Sequence, residues 1–189
     1  LGDVYKRQCL MAFADLLDLR TAVIEQVGDA SITDRFTRMV KLAESRLDRE
    51  LRTRFQLSQA TLTISSGSAA LPDLYKEAIS LSDSAGRILT MRPYHLRADP
   101  TIRGEYTIDG SFLYGPDGTY TLIFYIKLEG FSLSDGLDRT SAVLEAYPGV
   151  YLWAVTVEAL KSLRRFEDAA AADQVAQREI AAANGDDGA

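Results

Sequence analysis

The hydrophobic pattern of this chain changes its period twice, and that double switch constrains the fold more than any single motif. Apolar residues recur every three or four positions up to about residue 55, every second position from about 59 to 131, and every three or four again after Leu133. Side chains on one face of a helix repeat about every 3.6 residues and those on one face of a strand every second residue, so neither pattern serves the other element. The order helix, strand, helix therefore predicts an α+β chain. Its N- and C-terminal helices form one bundle, with a small antiparallel β-sandwich or barrel inserted between them. The boundaries that follow are 11–56 and 132–184 for the bundle, 57–131 for the inserted β domain, and 185–189 for a loose tail.

Individual elements carry their own signals. Leu16, Leu19, Val23 and Val27 put one apolar stripe on a helix over 12–27, and Gly28 stops it. Ser31 or Thr33 is expected to cap the next helix, 34–55, lined on one side by Phe36, Val40, Ala43, Leu47, Leu51 and Phe55. In the middle region Gly67 marks a turn, Arg87 to Arg92 reads as a strand, and Asp109-Gly110 supplies the positive φ of a hairpin corner. Tyr120, Leu122, Phe124 and Ile126 share one face of a later strand; Ile123 and Tyr125 on the other predict a central strand covered on both sides. Asp138 to Ala146 is a short helix ending near Pro148-Gly149. On 150–165, Leu152, Val155, Ala159, Leu163 and Phe166 make one stripe and Trp153, Val157 and Leu160 a second, which implies a central helix. An alanine-rich helix follows to Ala183, ended by Asn184-Gly185.

Residues 1–10 lead into no helix signal and are similar to translated read-through of a sequencing-library adapter. They are expected to be non-native, with Met11 as the start; they have no secretory apolar core. No stretch approaches the roughly 18 apolar residues of a membrane span, so no membrane partner is expected.

The chemistry of sites finds little to build on. Cys9, the single cysteine, forbids an internal disulfide or a cysteine metal cage. The single histidine, His95, has Asp99 four residues on, but in a proline-bounded loop that pair makes a poor ligand set. Ser66-Gly67-Ser68 is not a nucleophile elbow, and there is no phosphate loop or dinucleotide fingerprint. Catalytic residues, metal ligands and cofactors are therefore expected to be absent. Two alternatives stay open: a small cell-wall hydrolase using paired carboxylates, and a monomeric ligand-binding module built on the β region.

Charge is the sharper feature. The net charge is −6, which speaks against general nucleic-acid binding. Residues 166–189 hold six acids and one arginine, a sum of −5. Residues 34–55 hold seven basic and four acidic residues, a sum of +3. Arg35, Arg38, Lys41, Arg46, Arg49 and Arg52 lie on the helix face opposite the apolar stripe and are the candidate interface residues. The plain reading is a solvated face with local pairs such as Arg46 with Glu50; the functional reading is a surface for an acidic partner or a phosphate backbone.

Four segments resemble the head-to-tail adaptor (connector) proteins of short-tailed bacteriophages and related prophages. They are Phe36 to Arg52 with its Leu-Ala-Glu-Ser-Arg-Leu-Asp-Arg-Glu-Leu-Arg run; Leu71-Pro72-Asp73; Tyr106 to Gly110 followed by Leu122 to Lys127; and Tyr147-Pro148-Gly149-Val150-Tyr151-Leu152-Trp153-Ala154 with an acidic helix after it. The resemblance covers roughly Ala12 to Ile180; Gly149 departs from it, standing where such proteins more often carry an acid. It implies a structural virion protein at the head-tail junction, made in the host cytoplasm. Such adaptors form a ring of identical subunits, commonly twelve, beneath the portal protein. They extend the channel for dsDNA without sequence-specific contact and offer the tail proteins a docking surface. The charge split adds one expectation, that the basic stripe meets a neighbouring copy's acidic C-terminal helix; the channel wall ranks second as its place.

Overall fold

The computed structural model describes residues 13–93, 104–128, 130–131 and 136–186. Residues 1–10, the pair His95 and Asp99, and the tail residues 187–189 lie outside the described residues. The chain divides into two compact units, Leu1–Phe55 with Leu128–Ala189, and Gln56–Lys127.

The first unit is helical: α1 (Leu16–Val27), α2 (Phe36–Glu50), α3 (Ala142–Ala146), α4 (Pro148–Ser162) and α5 (Phe166–Asp186). Asp15 caps α1 by accepting from the Asp18 N–H at 2.9 Å. Gly28 ends it in the left-handed region at φ 71°, where its N–H reaches the Ile24 carbonyl. The next turn is a 3-10 segment, Ala30–Arg35, capped by Asp29 on the Ser31 N–H rather than by Ser31 or Thr33. The chain is thus already coiled when α2 starts, and α2 has no side-chain cap of its own. It stops at Glu50, short of the expected 55, because Asn184 donates to the Glu50 carbonyl at 3.0 Å and accepts from the Arg52 N–H at 2.7 Å. That carbonyl would otherwise receive the N–H of the next turn.

One core runs from Phe13 to Ala183 and draws on both ends of the chain, so the terminal helices do form one bundle. The N–H groups of Leu16 and Leu17 donate to the carbonyls of Arg139 and Leu137, fixing the start of α1 to the late segment. Helix α4 is buried from Val150 to Leu160 except at Trp153 and Glu158, as its two stripes predict for a central helix. Pro148 opens α4 instead of ending α3, since proline's missing N–H costs nothing in a first turn. Phe166, placed on the α4 stripe by sequence, is 65% exposed. The helix ends at Ser162 and Arg164 turns left-handed at φ 61°, so α5 starts on a new phase. Helix α5 passes through Asn184 and Gly185 to Asp186 instead of stopping there.

The second unit holds β1 (Leu57–Ile64), β2 (Ser68–Ala70), β3 (Tyr75–Asp83), β4 (Thr90–Met91), β5 (Glu105–Asp109), β6 (Phe112–Tyr114) and β7 (Gly118–Ile126). One sheet has the order β1-β7-β3, the other β2-β6-β5-β4. Ile64, Leu81, Tyr106, Leu113, Leu122 and Phe124 from both sheets make one core, a small sandwich. The turn between β1 and β2 has positive φ at Ser66 and Gly67, and the β5–β6 corner has it at Gly110, as the sequence cues require. Pairing is antiparallel except between β4 and β5, which run parallel. Only Thr90–Met91 of the expected 87–92 strand is paired as one. Strand β7 is central, with Tyr120, Leu122 and Phe124 buried. Its other face is not covered: Ile123 is 38% exposed, because a two-sheet sandwich has its core on one side of each sheet.

Candidate functional site

Helix α2 has three kinds of surface. Phe36, Met39, Val40, Ala43 and Leu47 are buried. Opposite them Arg35, Arg38, Leu42, Ser45 and Arg49 follow steps of three and four and so share one line along the helix, with Lys41 beside it. All six are exposed, Leu42 at 50%. No ion pair forms at Arg35, Arg38, Lys41 or Arg49 among the described residues.

The other two candidate cations are engaged within the chain. Arg46 is half-buried; its Nε lies 3.1 Å from Glu50 Oε1, and its Nη1 meets Asp173 of α5. Burial alone would lower its pKa, but Asp173 and Glu50 together hold the guanidinium above its ordinary value. Arg52 turns its guanidinium onto the carbonyls of Arg49, at 2.9 Å, and Leu51, at 2.7 Å, which satisfies the end of α2.

Between these faces lies an arrangement that charge counting missed. Glu44 is buried and accepts from the Phe131 N–H at 3.0 and 3.1 Å and from the Tyr151 hydroxyl at 3.3 Å. One turn on, Asp48 accepts from the Leu128 N–H at 2.6 Å. Two carboxylates four residues apart therefore clasp the backbone where the chain returns to the helical unit. Gly130 permits the close approach, since a Cβ there would come within 2.8 Å of Glu44 Oε2. Burial, then the Glu44 charge, push the Tyr151 hydroxyl well above the usual tyrosine range, so it stays a donor. The signal was present in the sequence: Glu44 stands four residues after Val40 and three before Leu47, inside the buried stripe.

A similar substitution explains Gly149. Helix α4 has no acid in its first turn. A Cβ at Gly149 would meet Glu179 Oε2 at 2.6 Å, so Glu179 of α5 brings a carboxylate to that helix start from outside.

A groove of about 310 Å³ opens between α1, α4 and α5, lined by Gln26, Trp153, Thr156, Arg165, Asp168 and Val175 among others. Its single carboxylate, Asp168, is paired with Arg165 at 2.7 Å, which does not give the two acids of separated pKa that a hydrolase needs. Among the described residues no group of three or more His, Cys, Asp or Glu is placed to hold a metal ion, and no helix is long and apolar enough to cross a membrane.

A family model described as SU10 adaptor protein matches residues 14–188. No curated protein matches the chain.

Proposed function

The chain belongs to the SU10 adaptor protein family, a family of phage structural adaptors, and on that premise we propose that it is one subunit of a ring beneath the portal protein at the head-tail junction of the virion. The ring, of twelve copies in the form such adaptors commonly take, extends the channel through which dsDNA leaves the head and presents the surface on which tail proteins dock. DNA passes it without sequence-specific contact, and the subunit is made in the host cytoplasm and acts without catalysis or cofactor.

The observation that carries this reading is the match over residues 14–188, nearly the whole described chain. The exposed stripe of Arg35, Arg38, Lys41 and Arg49 is its proposed docking face. Two acids of α5, Asp173 and Asp168, already serve Arg46 and Arg165 of their own chain, which leaves a neighbouring copy's stripe fewer of them to meet. An acidic surface on the portal suits it better, since complementary charge steers and registers such contacts. With the portal protein of the same phage immobilised, the double variant Arg38→Glu, Arg49→Glu is expected to bind about tenfold or more weakly, and the loss to shrink at high salt. Unchanged binding at low salt would remove the stripe from the interface.

A further inference from the structure

We propose that the outward face of the β1-β7-β3 sheet is the surface on which the next copy of this chain is seated. The proposal rests on the ring reading above and names its self-contact. The register defines the face. Leu57 pairs with Tyr125, Gln59 with Ile123 and Thr61 with Thr121, and from the other edge Ser80 pairs with Ile123 and Ser82 with Thr121. A bridge from Ser82 to Ile88 adds a fourth position to the same side. Antiparallel partners point to the same face, so these side chains lie together, opposite the core. Leu57 is 46% exposed, Ile79 48%, Ile88 73% and Ile123 38%. Threonines and serines fill most of the remainder, and the charged residues are Lys76 and Glu77, adjacent and opposite in sign.

A face with large aliphatic groups and no net charge does not fit DNA, nor the basic stripe of α2. It fits a second surface with exposed apolar groups, and the same β unit carries a smaller one. Phe112 is 48% exposed, its ring 6.4 Å from that of Tyr114, beside Ser68 and Ala70 on one neighbouring strand and opposite Asp109 on the other. Buried Leu113 points inward between them, so this patch is on the outward face of the other sheet. The two patches therefore occupy opposite sides of one sandwich. A closed ring requires that geometry, a heterologous contact between two different patches; a single self-complementary patch gives a two-fold pair instead. The size of the face fits as well. Three strands about 4.8 Å apart and about eight residues long, with Ile88 at one edge, cover roughly 400 Å², against the roughly 800 Å² per partner of a stable two-body complex. A lone pair of copies is thus weak, and a closed ring, in which every copy makes two contacts, is the state that accumulates.

The test uses full-length chains in a Cys9→Ser background, mixed with the portal protein of the same phage. Copies carrying Ile123→Cys and copies carrying Phe112→Cys, treated with a short bis-maleimide, are expected to cross-link to each other and not among themselves. Ile123→Lys, and separately the more exposed Ile88→Lys, should cut the assembled fraction at least tenfold by native mass spectrometry, with the melting curve unchanged. Wild-type rings without the mixed cross-link, or lysine variants that assemble normally, overturn the sheet face and leave the ring standing. Cross-links of Ile123→Cys copies among themselves indicate a two-fold pair and also overturn it. If wild-type chains form no ring with the portal, the ring reading fails and this inference with it.

Discussion

Three charged residues of α2, Glu44, Asp48 and Arg46, make contacts with Phe131, Leu128 and Asp173, all eighty or more positions away. The β unit has no buried counterpart: among the described residues its buried polar side chains are uncharged, Gln56 and Thr107, its carboxylate on a distant N–H, Asp117 on Gly67 at 2.8 Å, is exposed, and it closes through strand ladders within 56–127. The helical unit must join two distant pieces of chain, and helices satisfy their own backbones, so nothing in their ladders specifies the partner. Buried carboxylates aimed at particular N–H groups do specify it, at the cost of desolvation. Strand pairing fixes the partner of every residue by register, and the β unit needs no buried anchors of that kind.

The largest effects should respect that division. Trp153 is the only tryptophan and belongs to the helical unit, so its fluorescence follows that unit, while strand circular dichroism follows the other. Leu122→Ala, at a fully buried site on β7, should cost about 3 kcal/mol and move the strand signal with little change at Trp153. Glu44→Ala should do the reverse at about 2 kcal/mol, because it leaves the Phe131 N–H and the Tyr151 hydroxyl without their acceptor; Glu44→Gln should recover part of the loss. A variant that shifts both signals together would break the separation.

Smaller changes sharpen it. Gly28→Ala forces a Cβ into the left-handed region and should cost about 1 kcal/mol, read at Trp153. Asp173→Asn weakens a half-exposed pair and should cost well under about 1 kcal/mol on the same probe. Acid is the mildest perturbation and touches both units. Hydrogen bonds from the backbone N–H and guanidinium of Arg87 hold Asp83 below the usual carboxylate range, and Ser31 does the same for Asp29. A depressed folded pKa gives stability that is complete above the unfolded value, near about 4, and is lost as pH falls through the lower folded one. The protection of the Arg87 and Ser31 amides, taken against the intrinsic exchange rate at each pH, should therefore fall below about pH 4 and stay constant between about pH 5 and 7.

The architecture was legible where a local rule left one solution. The alternation Tyr120-Leu122-Phe124 fixed β7, Asp109-Gly110 fixed a hairpin, and the two stripes of 150–165 put α4 at the centre of the bundle. What the sequence did not disclose depends on distant partners. The stop of α2 at Glu50 is set by Asn184, and the role of Glu44 by Phe131 and Tyr151. The basic stripe was visible as a whole, but not its division, because helical spacing alone does not show that Arg46 faces Asp173 while Arg38 faces solvent. Ile123 and Tyr125 on the open face of β7 are as apolar as core residues, so alternation alone does not show that this face is uncovered. On the proposal above they are apolar for a different neighbour.

Electron microscopy of the chain mixed with the portal protein of the same phage tests the central claim most directly. Closed rings of this chain stacked coaxially on the portal are the predicted result; portal particles bare of such rings, with the chain left as single copies at saturating concentration, would contradict it.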